Sequence, residues 1–127
     1  MKYGFSKTTD YSFEQAIEKV TEELKKEGFG VLTTIDVKDT LKKKIDVDFK
    51  KYTILGACNP KLAHSALQVE EELGLLLPCN VIVYEKKDKT IVSIFDPRVM
   101  TLVIENPEMK SVAEEVKNKL QRVLEAV

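Results

Sequence analysis

The sequence has no tryptophan, a single histidine, two cysteines and no surplus of charge. Its 20 basic residues are set against 21 acidic ones, for a formal net charge of −1. Without a basic excess there is no overall field to hold a nucleic acid or to draw the protein onto an anionic membrane. No apolar run approaches the roughly 20 residues that cross a bilayer. The opening MKYGFSKTTDYS lacks the apolar centre of an export signal, so the two cysteines are expected as thiols and not as a disulfide. These absences point to a cytoplasmic protein with neither a nucleic-acid nor a membrane partner. Gly-rich phosphate loops, a Ser-His-Asp order and Cys-x-x-Cys are missing too, which removes the motif-borne chemistries.

What is present describes an ordinary folding chain. With 127 residues, 43% of them hydrophobic and 32% charged, it has the size and composition of one domain spanning 1–127. Asn59-Pro60, Asp96-Pro97 and Asn106-Pro107 each set a capping acceptor before a proline, and three helices are expected to start there. Ser12 and Gln15 form a capping box for an earlier helix, whose stripe Phe13, Ile17, Val20, Leu24 runs to a stop at Gly28. Met109, Val112, Val116, Leu120, Val123 and Val127 make a second stripe near the C-terminus.

Strands are expected at 2–9, 29–35, 52–58, 79–85 and 90–95, the last two joined by a polar hairpin loop at Lys86-Lys87-Asp88-Lys89. Three of them carry apolar residues in both alternation phases, so both sheet faces are expected to be covered, one by helices and the other by a second layer or a partner chain. The basic cluster Lys42-Lys43-Lys44, interleaved downstream with Asp46 and Asp48, reads as a solvated loop or short helix. The order is β-α-β-(short α)-β-α-β-β-α-α, an α+β fold.

Three blocks in this order, Leu55-Gly56-Ala57-Cys58-Asn59-Pro60-Lys61-Leu62-Ala63, Leu76-Leu77-Pro78-Cys79-Asn80-Val81 and Phe95-Asp96-Pro97, make the chain resemble the family called domain of unknown function 302. That resemblance implies a single layer of curved, mainly antiparallel sheet packed by helices, similar to the TATA-binding-protein-like group, and a tendency to form homodimers. It implies no reaction.

The candidate site is the surround of Cys58, Asn59, Cys79 and Asn80. Cys58 precedes the helix that begins at Pro60, and the positive end of a helix favours thiolate over thiol; its bland reading is a small buried hydrophobe. Cys79 opens a strand in phase with Val81 and Val83, as a core cysteine would. Antiparallel neighbouring strands would bring the two thiols together, whereas a parallel crossover would leave them about 20 Å apart. The helix from Asn59 to about Leu73 carries Leu62, Ala66, Val69 and Leu73 on one face and His64 on the opposite one, facing solvent. His64 would join Cys58 and Cys79 in a soft-metal or haem site only if something covered that face. Asp96 is expected as a helix cap and Met100 as core.

Three functions remain open at this point. One is a non-enzymatic, homodimeric protein that binds a small ligand or metal around Cys58, Asn59 and Cys79. Another is a thiol-dependent redox enzyme with Cys58 as nucleophile and Cys79 as resolving cysteine. The last is an interaction module with inert thiols.

Overall fold

A computed structural model describes residues 2–127, and its helices begin where the capping signals lie. The order is β1 (Gly4–Thr9), α1 (Phe13–Lys26), β2 (Gly30–Asp36), α2 (Val37–Ile45), β3 (Tyr52–Cys58), α3 (Pro60–Val69), β4 (Cys79–Lys86), β5 (Lys89–Phe95), α4 (Met100–Val103) and α5 (Pro107–Ala126), with 3-10 turns at Glu71–Leu76 and Pro97–Val99. Ser12 Oγ accepts from the Gln15 amide at 3.2 Å while the Ser12 amide donates to Gln15 Oε1 at 3.1 Å. Asn59, Asp96 and Asn106 each accept from a backbone N–H of the turn they precede. A cap of this kind contributes about 1 kcal/mol.

The five strands form one antiparallel sheet in the order β1-β5-β4-β3-β2. Because cross-strand partners share a face, the register sorts the side chains into rows. Leu55, Val81, Ile94 and Phe5 form one row, and Thr53, Val83, Val92 and Lys7 the next. Both rows meet the stripes of α1 and α5: Phe13, Ala16, Val20 and Leu24 from the first, Val116, Leu120 and Val123 from the second. Complete burial of such aliphatic side chains stabilises by roughly 1.5–3 kcal/mol apiece before entropy is counted. Lys7 stands in this apolar face but carries its ammonium to the end of α5, where Nζ donates to the carbonyls of Glu125, at 3.1 Å, and Val127. A cation there offsets the unpaired carbonyls of the last turn.

Three expectations need correction. The strand expected at 29–35 does not alternate regularly between the faces: a register slip between Val31 and Thr33 leaves Leu32 67% exposed, since an extra residue in one strand changes the phase of everything beyond it. The third helix does not reach Leu73. It stops at Val69, Glu70 turns extended (φ −143°, ψ 102°), and a 3-10 turn carries Leu73 into the core. The Val69 carbonyl freed by that stop accepts from Asn106 Nδ2 at 3.1 Å, a partner 37 residues away. The helix expected at Pro97 is split into a 3-10 turn and the four-residue α4. Lys42, Lys43 and Lys44 lie on the short helix α2, none of whose residues is buried.

Candidate functional site

Antiparallel pairing of β3 and β4 sets Ala57 directly across from Cys79, and Gly56 across from Asn80. The parallel geometry with thiols far apart is therefore excluded: both cysteines stand at the same end of neighbouring strands. They do not form a pair, however. Both thiols are free. The pleat accounts for this, because Cys79 shares the helix-facing row with Ala57 while Cys58 is one residue out of phase with it. Cys79 is buried, 7% exposed, and Cys58 is half-buried.

Both cysteines contribute to the wall of one cavity of about 40 Å³. It lies between the ends of β3 and β4 on one side and α3, the 71–76 turn and α5 on the other. Leu62, Ala66, Leu73, Met100, Met109 and Val116 supply most of its apolar lining. Part of this wall forms its own buried cluster of Ala66, Leu73, Met100 and Met109. Met100 thus takes the core role expected of it. Burial, with Cys58 nearby as the lesser cause, pushes the Cys79 thiol up to about 11. Near neutral pH that side chain is an S–H group, weakly polar and polarizable, and not a thiolate.

Asn59 lines the same cavity, but its amide is already engaged at both ends. Oδ1 accepts from the Leu62 amide at 3.3 Å to cap α3, and Nδ2 donates to the Glu27 carbonyl at 3.3 Å. That second bond ties α3 to the end of α1. It also requires Gly28, which has φ +86°, to stay small, since a Cβ there would lie 3.0 Å from Asn59 Nδ2. Asn80 is exposed, and its register with Gly56 puts it on the opposite face from Cys79. The two Cys-Asn pairs therefore share one cavity through their cysteines and differ in their asparagines, Asn59 bracing α3 and Asn80 exposed on the other face.

His64 lies on the exposed side of α3, as the helical wheel places it, and is not in the cavity wall. The Cys58, Cys79 and His64 set expected for a soft metal or haem is not assembled: among the described residues, no three His, Cys, Asp or Glu side chains are grouped to hold a metal ion. The reason is geometric, since helix periodicity turns His64 away from the face that carries Leu62 and Ala66. Asp96 is 4% exposed and caps the turn at Pro97, and Arg98 Nη2 donates to its carboxylate at 2.7 Å. The Arg98 hydrogen bonds hold its pKa below the usual carboxylate range despite burial.

What the sequence did not reveal is the size of the cavity and the share of its wall that comes from α4 and α5. The only signals were Met100 and Met109, read as ordinary core.

Comparison with known proteins agrees with this architecture. The family model described as "Domain of unknown function DUF302" matches residues 5–127. The crystal structure of an "uncharacterized conserved protein DUF302" from Bacillus stearothermophilus superposes with a TM-score of 0.93 at 28% identity, covering 99% of this chain and 98% of that one. No curated protein matches the chain. Among the described residues, no helix is long and apolar enough to cross a membrane.

Proposed function

The chain belongs to the family Domain of unknown function DUF302, and from that premise we propose that it binds a small apolar ligand in the Cys58–Cys79 cavity without transforming it. The observation that carries this reading is the character of the wall: a cavity of about 40 Å³ enclosed almost wholly by hydrocarbon and sulfur, with its one amide, on Asn59, already bonded. A cavity of that kind stays dry and is open to apolar guests. At one probe sphere of roughly 10–15 Å³ per small group, it has room for about three non-hydrogen atoms. That suits the end of a short alkyl chain or a thioether, and it is far too small for a porphyrin. Met100 and Met109, with their freely rotating side chains, allow some enlargement.

The other expectations fare less well against the same wall. A resolving cysteine attacks as thiolate, and burial, which raises the Cys79 thiol to about 11, disfavours that form. The ligand reading needs no ionisation.

Xenon is the direct probe, with the methyl groups of the cavity followed by NMR. Xenon is expected to shift the Met100, Met109 and Val116 methyls first, and Ala66→Leu to suppress those shifts by filling the space. If Ala66→Leu does not fold, Cys79→Met fills the cavity from the sheet side and serves the same purpose. Shifts confined to surface methyls, or unchanged by either filling variant, would sink the proposal.

A further inference from the structure

The face of the sheet turned away from α1 and α5 carries a second, chemically different concavity. Its rows follow from the register: Tyr52, Tyr84, Ile91 and Thr8 in one, Ile54, Ile82, Ser93 and Ser6 in the next. Tyr52 and Tyr84, direct cross-strand partners, stack with centroids 5.4 Å apart and planes 17° apart. Tyr3 stands in the same groove. Burial, and then the neighbouring Tyr84 and Tyr3, raise the Tyr52 phenol above its usual range, so three phenolic groups converge there. On the floor the Ser6 and Ser93 hydroxyls lie 2.7 Å apart, ready to donate or accept toward a guest.

Charge is segregated at this groove in a way the whole chain does not show. Overall, acids exceed bases by one, yet the wall of about 670 Å³ includes Lys2, Lys50 and Lys86 and no carboxylate. These three make no salt bridge among the described residues, so no carboxylate of this chain neutralises them. Lys50 instead holds its ammonium 4.8 Å above the Tyr84 ring, the closest of its aromatic contacts. Stacked rings beside unneutralised ammonium groups are the recognition chemistry for a flat ring that carries negative charge.

We infer that this groove is a binding site for a small planar aromatic anion, of the size and chemistry of a nucleoside monophosphate. The ring packs edge-to-face across the rims of the stacked Tyr52–Tyr84 pair, whose faces meet each other, Phe49 and the Lys50 ammonium; the serine hydroxyls contact its polar edge, and Lys50 and Lys86 hold its anionic group. A groove of this volume falls within the range of sites for such molecules. It is separate from the thiol cavity, so either site stands if the other fails.

The experiment is an amide NMR titration with three probes: AMP, which has ring and charge, adenosine, which has the ring alone, and inorganic phosphate, which has the charge alone. AMP is expected to bind most tightly and to shift residues 52, 84 and 93, with an affinity that falls as salt is raised. Lys50→Glu, at an exposed position, is expected to weaken AMP by roughly tenfold, while Lys110→Glu, exposed on α5 on the helix side of the sheet, leaves it unchanged. The inference is overturned if AMP gives no titration up to millimolar concentration, if phosphate alone binds as tightly, or if Lys50→Glu has no effect. A short oligodeoxyadenylate that outcompetes AMP at equal site concentration would replace the small molecule with a strand.

Discussion

One sheet has two faces built from the same strands, and they have been put to different uses. Toward α1 and α5, Leu55, Val81, Val83, Val92 and Ile94 are essentially inaccessible. On the other side their sequence neighbours Ile54, Ile82, Ser93 and the stacked Tyr52 and Tyr84 are half-buried. A residue's phase in the strand decides its face, and the presence of a helix decides whether that face becomes core. The apolar residues of the far side are thus not a second core but a half-buried surface that lines the groove of Tyr52 and Tyr84. Both faces were expected to be covered; α1 and α5 cover one, while Tyr52, Ile54, Ile82 and Tyr84 on the other are only half-buried.

The largest expected effect tests whether the helix-facing side alone holds the fold. Leu120→Ala, at a fully buried position, should cost about 2–5 kcal/mol through lost burial and the cavity it leaves. Ile82→Ala on the far face should cost about 1 kcal/mol. Urea denaturation of both variants measures the pair, and equal losses would erase the distinction between the faces.

Next in size is Asp96, at the end of β5 where the core face closes. Asp96→Ala should destabilise by about 2 kcal/mol, removing a cap and leaving Arg98 without its buried partner. The pKa of Asp96 is depressed in the folded state, so its contribution is present above the ordinary carboxylate value near 4 and disappears as pH falls through the lowered one. Denaturation midpoints of the parent protein should therefore drop more steeply than those of the variant below about pH 4.

A smaller effect separates the two thiols. Cys79 is raised to about 11 in the folded protein, so the stability tied to its neutral form is complete below the free-thiol value of about 8.5 and is lost as pH rises through 11. Cys79→Ala should flatten that alkaline decline. Iodoacetamide labelling read by mass should modify Cys58 first and reach Cys79 only at high pH or on unfolding. Simultaneous modification near neutral pH would make the two positions equivalent after all. Least of all, His64→Ala should change stability by less than about 0.5 kcal/mol and leave xenon uptake as it was. A loss of uptake would return His64 to the site.

Legibility followed distance along the chain. The capping box at Ser12 and the Asn-Pro and Asp-Pro starts were readable because each is completed within three residues. The cap at Asn59 was foreseen for the same reason. Its other bond, from Nδ2 to the Glu27 carbonyl, was not, because nothing local connects residue 59 to residue 27. That bond turned a presumed ligand-contacting residue into a brace. The early stop of α3 was hidden likewise, since the group that satisfies its freed Val69 carbonyl, Asn106 Nδ2, comes from the start of α5, 37 residues along the chain.

The sequence by itself determined where α1, α3 and α5 begin, which residues of β3, β4 and β5 share a face, and that Cys58 and Cys79 are the thiols to watch. These follow from short-range hydrogen bonds and from the periods of helix and strand. Only the tertiary structure decided that Ala57, and not Cys58, stands opposite Cys79. It alone decided that α5 closes a cavity over both thiols, and that the stacked tyrosines are left on the uncovered side. Strand register and helix docking are set by the simultaneous burial of many distant side chains, and no segment of the chain contains that sum.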